Sequence, residues 1–145
     1  MIQALHELAY HVEQLSAADY DQVIGLWQRA GLRFRPRGRD SRESFGRQLE
    51  SGAQEGDQLV GVVTVTHDSR KGWINRLAVE PGYRHRGIGT RLIAAAEGYL
   101  RCLGIDVIAA LVLEENTASQ TLFARAGYQY EPRVRYLSKR SSPES

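Results

Sequence analysis

Along the chain, apolar residues recur in two rhythms, at every second position or at every third to fourth, and these rhythms predict the elements. Residues 10–15 read as a short strand. Ser16 then fits an N-cap with Asp19 as its capping-box partner. The helix that follows places Val23, Ile24, Trp27 and Ala30 on one face before Gly31 ends it. Residues 32–40 form an arginine-rich loop, and 41–49 a second, weaker helix. The stretch 52–57 has almost no strand formers and reads as a turn, so the sheet is expected to lack an edge there or to carry an abbreviated hairpin. β-Branched residues make 59–66 a buried strand. Lys71-Gly72 turns the chain into another strand at 73–79, closed by Pro81-Gly82. A helix opens near Ile88 and runs to about residue 103, with Ile88, Leu92, Ala95, Ala96, Tyr99 and Leu103 on one face and Gly104 as its C-cap. Residues 107–112 are a second unbroken apolar strand, and 117–126 a helix stopped by Gly127. Residues 128–130 and 133–137 read as closing strands, interrupted by Pro132.

Two apolar strands joined by a long helical crossover imply parallel neighbours buried on both faces, with a right-handed connection. The pattern is that of a mixed α/β fold. Composition narrows the class. The chain has 145 residues, 42% of them hydrophobic and 25% charged, which excludes fibrous, coiled-coil and disordered proteins. Residues 1–140 are expected to form a single domain and 141–145 a flexible tail. No apolar stretch approaches the roughly 20 residues that span a bilayer, and the N-terminus lacks the pattern of a secretory signal. A cytoplasmic protein with no membrane partner is therefore expected. A lone cysteine, Cys102, can form neither an internal disulfide nor a cysteine zinc site, so no metal is expected. The net charge is +2. Acidic residues are interspersed among the basic ones, so no nucleic-acid footprint stands out. Almost all the basic residues are arginine, which suits bidentate recognition of phosphate or carboxylate. A chain of this kind is compatible with a homodimer without specifying one.

The sharpest chemical signal lies between the strand at 73–79 and the crossover helix: Arg84-His85-Arg86-Gly87-Ile88-Gly89. Unpaired amides at a helix N-terminus, reinforced by the helix dipole, favour an anion there. Gly87 and Gly89 lack β-carbons and would let a diphosphate approach the backbone, while Arg84 and Arg86 add charge at the rim. A bare Gly-x-Gly fits a tight turn equally well. There is no Gly-Lys-Ser/Thr and no third glycine at dinucleotide-fold spacing, which argues against both common nucleotide loops.

The longer run Asn75-Arg76-Leu77-Ala78-Val79-Glu80-Pro81-Gly82-Tyr83-Arg84-His85-Arg86-Gly87-Ile88-Gly89-Thr90-Arg91-Leu92 closely resembles the acetyl-CoA-binding motif of the GCN5-related N-acetyltransferases (GNAT family). Downstream, Asn116-Thr117-Ala118-Ser119-Gln120-Thr121-Leu122-Phe123-Ala124-Arg125-Ala126-Gly127-Tyr128 resembles the family's second signature. The resemblance implies a mixed, mostly antiparallel sheet with helices on both faces and a splayed parallel pair near 73–79 and 107–112. Leu77, Ala78 and Val79 would carry a bulge, and the pantetheine of acetyl-CoA would pair with them in the gap. Amides of residues 86–90, including His85's neighbour Arg86, Ile88 and Thr90, would cradle the pyrophosphate, with Arg84 and His85 at the loop's entrance. Asn116 would bond the pantetheine arm; it reads equally well as the N-cap of the helix beginning at Thr117. Phe123 would pack beside that arm.

The implied reaction is acetyl transfer from acetyl-CoA to a primary amine of a small molecule or a protein. An amine with a pKa near about 10.4 must lose a proton before it attacks. Counting from Asn116, Phe123 stands where the family often has a proton-donating tyrosine. Tyr128 and Tyr130 are substitutes, though Tyr128 also fits a core aromatic. Leu111 stands where members that acetylate protein N-termini often carry a glutamate, which argues against that subgroup. Glu114, Glu115 and His67 are candidate bases, each equally explained as a solvated loop residue, and no catalytic residue is assigned. Seven arginines between Arg29 and Arg47 either roof an acceptor site suited to an acidic acceptor or form a solvated loop. The rival readings are a non-catalytic acyl-CoA-binding module and a nucleotide-binding regulatory domain.

Overall fold

A computed structural model describes residues 11–35, 40–45, 49–55 and 58–141. Five strands form one sheet in the order β1 (His11–Gln14), β2 (Leu49–Glu55), β3 (Gln58–His67), β4 (Gly72–Val79) and β5 (Ile108–Ala110). Neighbours from β1 to β4 are antiparallel, and β5 runs parallel to β4. The helices are α1 (Tyr20–Arg29), α2 (Arg42–Phe45), α3 (Ile88–Cys102) and α4 (Thr117–Arg125). This is the mixed sheet that the pattern and the resemblance imply.

The Ser16–Asp19 capping box is formed: the Ser16 amide donates to Asp19 Oδ2 (2.8 Å), and Ser16 Oγ accepts from the Ala18 amide (3.2 Å). It opens a 3-10 turn, Ala17–Asp19, that runs into α1. Two expectations nearby are corrected. Of the stretch read as a turn, residues 52–55 belong to a seven-residue strand, β2, while 56–57 lie outside the described residues; of the helix expected over 41–49, the described part is α2, with Leu49 in β2 and 46–48 outside the described residues. β2 lies between β1 and β3 and is paired on both sides. Ladder bonds on both edges override the weak strand propensity of Gly52, Ala53 and Gln54.

Two apolar layers cover opposite faces of the sheet. On one, Val23, Leu26 and Trp27 of α1 pack with Leu59, Val62 and Ala78. On the other, Ile88, Leu92, Ile93, Ala96 and Leu100 of α3 pack with Val63, Val65 and Ile74. A register shift leaves Val60 without a partner on β2, which lets Leu59 and Val62 share a face. The α3 face is rotated from the expected one: Ile93 and Leu100 are buried, whereas Tyr99 and Leu103 are 37% and 48% exposed. The cause lies beneath the helix. A β-carbon on Gly61 would come within 2.9 Å of Ile88 Cγ2 and 3.0 Å of Leu92 Cδ1, and one on Gly72 within 2.5 Å of Leu100 Cδ1. Bare backbone at these two places admits the ridge running through Ile88, Leu92 and Leu100.

β5 is shorter than the apolar run 107–112, and the closing strands expected at 128–130 and 133–137 are not formed: both segments lie outside helix and strand. A strand needs an edge to pair with, and alternation by itself supplies none. Among the described residues no helix is long and apolar enough to cross a membrane.

Candidate functional site

β4 and β5 pair at Gly72–Ile108, Trp73–Ala109 and Ile74–Ala110, and pairing stops there although β4 continues to Val79. The break coincides with a bulge. On the β3 side Val65 faces Ile74 and Thr64 faces Arg76, so Asn75 is an extra residue. One inserted residue bends a strand and increases its twist, and the pairing of β4 with β5 ends immediately before it. The bulge expected within 77–79 therefore lies at Asn75, whose Nδ2 donates to Thr66 Oγ1 across the hairpin (2.7 Å). Beyond it, the Glu80 amide donates to the Val60 carbonyl (2.8 Å). By the alternation of a pleated strand, residues 76, 78 and 80 then bond toward β3, and Leu77 and Val79 turn their N–H and C=O groups toward the gap.

At the far end of β4, Arg29 Nε donates to both carboxylate oxygens of Glu80 (3.0 and 2.9 Å), and the Tyr83 amide donates to the Glu80 carbonyl (2.8 Å). The chain then passes through two left-handed residues, His85 at φ 62° and Gly87 at φ 76°, before α3 begins. The first helical bond runs from the Arg91 amide to the Gly87 carbonyl (3.1 Å), and no side chain caps the helix. The amides of Ile88, Gly89 and Thr90 thus have no intrahelical partner and sit at the positive end of a 15-residue helix. Arg84, His85, Arg86, Gly87 and Thr90 form the exposed rim, with the Arg86 guanidinium 4.9 Å from the Tyr83 ring centre. Ile88 serves the core. Gly89 is also enclosed, and a β-carbon there would lie 2.8 Å from Leu122 Cδ2. At Gly89 the N-terminus of α3 packs closely on the end of the Leu122 side chain, a contact the motif alone did not show.

Asn116 caps α4, its side chain accepting from the Ser119 amide (3.1 Å). Gln120, which the sequence did not single out, donates from Nε2 to the carbonyls of Leu113 (3.1 Å) and Glu114 (2.8 Å), pinning the loop that leaves β5. Phe123 is buried in the α3 layer and meets Tyr128 edge-on, ring centres 5.0 Å apart. Burial, then the nearby Glu97 carboxylate, pushes the Tyr128 hydroxyl well above the ordinary tyrosine range. Tyr128 packs against the α3 layer with its ring edge-on to Phe123, as a core aromatic does. Tyr130 is 89% exposed. His67 is the last residue of β3, and its Nδ1 accepts from the Ser69 amide in the β3–β4 turn (3.3 Å), on the closed side of the bulge. Glu114 and Glu115 are exposed in the loop after β5.

A further constellation flanks β4 on the α1 face. Arg76 donates from Nη2 to Asp40 Oδ2 (2.7 Å) and from Nη1 to the Arg33 carbonyl (3.0 Å), and its guanidinium lies 4.4 Å from the Trp27 ring centre. Asp40 Oδ2 also accepts from the Arg35 amide (2.6 Å), and the Tyr20 hydroxyl donates to the Asp40 carbonyl (2.9 Å). Part of the arginine-rich loop is thereby clamped to the strand next to the bulge. Arg37, Arg39 and Arg47 lie outside the described residues. Nothing local in sequence marks the clamp, because its members lie 36 residues apart.

A parallel pair that parts at a bulge, facing an uncapped helix mouth, is the layout of the acyl-CoA acyltransferases. Residues 5–128 match the acetyltransferase (GNAT) family, and the chain belongs to that family. Among curated proteins it is similar to an acetyltransferase of Sodalis glossinidius, 30% identical over 128 residues (84% of this chain, 89% of that protein). It is also similar to an acetyltransferase of Photorhabdus laumondii, 32% identical over 121 residues (79% and 82%). Among solved structures, the PaiA N-acetyltransferase of Thermoplasma acidophilum in complex with coenzyme A superposes with a TM-score of 0.75 at 21% identity (84% and 91% covered). The aminoglycoside N-acetyltransferase AAC(6')-Iy in complex with a bisubstrate analogue gives 0.74 at 20% identity (90% and 98%). At these identities the structural likeness speaks for the fold.

Proposed function

We propose that this acetyltransferase moves the acetyl group of acetyl-CoA to a primary amine of a small molecule or a protein. The observation that carries this reading is the end of β4–β5 pairing at the Asn75 bulge, on the strand whose chain leads into the uncapped mouth of α3. The two features fit the two ends of the donor. The N–H and C=O groups of Leu77 and Val79 suit an amide-bearing pantetheine arm lying along β4 as an added strand. Ala78 lies between them with its own backbone committed to β3. The amides of residues 86–90 suit the pyrophosphate, with Arg84, His85 and Arg86 at its edge and Gly87 supplying the left-handed turn that aims them. Asn116 keeps its capping bond through its side-chain oxygen, which leaves its amide nitrogen able to donate to the pantetheine arm, and Phe123 packs in the core layer.

Bound acetyl-CoA supplies an activated thioester. The chain's part is to hold it, exclude water from the gap, and offer a backbone N–H beside the bulge where negative charge develops on the carbonyl oxygen. Tyr128 is given no proton-donating role in this reading, because its hydroxyl is enclosed. A thiolate leaving group with a reference pKa near about 8.5 departs with modest assistance, so Phe123 at the usual tyrosine position does not forbid turnover. Glu114 and Glu115 border the gap's β5 side and would accept the amine's proton through water.

The experiment is release of free coenzyme A thiol from acetyl-CoA in the presence of an amine panel, alongside thermal shifts with acetyl-CoA and with ATP. Thiol release that depends on an amine supports the reading. Stabilisation by acetyl-CoA without release across a broad panel favours a non-catalytic acyl-CoA-binding module. Stabilisation by ATP and not by acetyl-CoA overturns the site assignment.

A further inference from the structure

Between the end of β4 and the rim of the α3 mouth the chain makes one 3-10 turn, Pro81–Tyr83. Both ends of that turn are tied to other parts of the protein. Before it, the Glu80 carboxylate accepts from Arg29 Nε through both oxygens (3.0 and 2.9 Å), which fastens it to the last turn of α1. After it, the Tyr83 hydroxyl donates to Gln58 Oε1 at the start of β3 (3.4 Å). The ends are also joined to each other, because the Tyr83 amide donates to the Glu80 carbonyl (2.8 Å). Gly82 between them has only open space where a β-carbon would be, so the turn is held by its ends. The Tyr83 ring lies 4.9 Å from the Arg86 guanidinium. A continuous path therefore runs from Arg29 through Glu80 and Tyr83 to Arg86.

Arg29 is placed for this bond rather than for packing. Its side chain is 54% exposed, whereas that of Glu80 is 16% exposed. Among the described residues Glu80 is its only hydrogen-bond or ion-pair partner. Gly25, one turn earlier, leaves room for the guanidinium: a β-carbon there would lie 3.1 Å from Arg29 Nη1. Arg29 and Gly25 also line, with Gln58 and Leu59, an open cavity of about 340 Å³, so packed side chains do not hold the guanidinium on that side. Deprived of its counter-charge, a largely enclosed carboxylate turns out toward water, and the turn that Glu80 anchors moves with it.

We infer that Arg29 is a positioning residue for the acyl donor: acting through Glu80, it fixes the turn that carries Tyr83 and Arg86 and so sets the rim on which the pyrophosphate rests. The role rests on the acyl-CoA reading of that loop. It concerns the diphosphate end of the donor alone, since Leu77 and Val79, proposed to meet the pantetheine arm, lie on the part of β4 paired with β3.

The test compares two donors on the full chain: acetyl-CoA by titration calorimetry, and S-acetylpantetheine, which has the arm without any phosphate, by its competition with acetyl-CoA. In the parent, acetyl-CoA binds more tightly. Arg29→Met keeps the length of the side chain and removes its charge. It is expected to raise the Kd of acetyl-CoA at least about fivefold and to leave that of S-acetylpantetheine within about twofold. Arg29→Lys returns acetyl-CoA affinity to within about twofold of the parent, because a single charged donor makes this bond. Helical circular dichroism and the urea midpoint stay near the parent's in both variants, as expected for a pair with one exposed partner. Unchanged acetyl-CoA affinity in Arg29→Met, an equal loss for both donors, or no recovery in Arg29→Lys overturns the role. A parent that binds the two donors equally tightly overturns the acyl-CoA reading of the loop itself, and the role of Arg29 falls with it.

Discussion

Leu122 occupies the space that a side chain on Gly89 would need, its Cδ2 lying 2.8 Å from the position of a β-carbon there. The N-terminus of α3 and the flank of α4 touch at this point, which ties the two family signatures to each other. Gly89→Ala is expected to lower stability by about 1 kcal/mol, the low end of overpacking, because the atom it meets is the end of a leucine side chain that can turn aside. Leu122→Ala in the same chain returns part of that loss. Urea denaturation of the two single variants and the double variant closes the cycle. A Gly89→Ala protein as stable as the parent would show that the helices yield at this contact.

Gly87 controls charge, since it stands at the left-handed entrance to α3 and touches nothing within 4 Å of where a β-carbon would be. Aspartate tolerates the left-handed region better than most residues, so Gly87→Asp is expected to fold. It places a carboxylate where the donor's pyrophosphate is proposed to sit. Acetyl-CoA affinity by titration calorimetry should fall at least about tenfold, near 1.4 kcal/mol, with circular dichroism unchanged. Unaltered affinity would move the pyrophosphate elsewhere.

Asp40 and Arg76 form an ion pair with side chains 3% and 10% exposed. Removing one partner leaves the other charge enclosed, at a cost of roughly 3–5 kcal/mol. Asp40→Ala should therefore be strongly destabilising in urea, and Asp40→Ala with Arg76→Leu clearly less so. Equal losses in the single and double variants would mean that the clamp's worth lies in its contacts to Arg33, Arg35 and Tyr20.

Tyr128 gives a pH signature. Its folded pKa is raised from the model-peptide value of 10.0 by burial, then by Glu97. The group's contribution is thus fully present below pH 10 and is lost as pH rises from there through the folded value. Stability measured across this alkaline range should fall in the parent and fall less in Tyr128→Phe. At neutral pH the phenylalanine variant should be as stable as the parent or more so, because the hydroxyl is buried without a hydrogen-bond partner. It should also retain amine-dependent thiol release. Loss of that release alone would return Tyr128 to the list of proton donors.

Features set by short-range chemistry were legible in the sequence. Ser16 with Asp19, the run from Arg84 to Gly89, Asn116 ahead of its helix and the terminating Gly127 each depend on residues a few positions apart, and each lies where expected. Features set by contacts distant in sequence were not. β2 exists because β1 and β3 hold it. The bulge falls at Asn75 through registration against Thr64 and Val65. The buried face of α3 follows from what Gly61 and Gly72 leave open, where Tyr99 and Leu103 were the more obvious apolar choices. The same distance hid Gly89's contact with Leu122 and the partnership of Asp40 with Arg76.

Gly61 and Gly72 seat α3 at two stations along its length, one under Ile88 and Leu92 and the other under Leu100. A rod bearing on two such stations can neither rock nor slide without unseating branched side chains from the sheet. The amide donors at its N-terminus are therefore held in place, and on the proposed reading they are preformed for the donor's pyrophosphate. The ordering that accompanies association then falls on the visitor's flexible arm rather than on the protein. A stiffened mimic of that arm should gain affinity in a way that no further tightening of the helix could match.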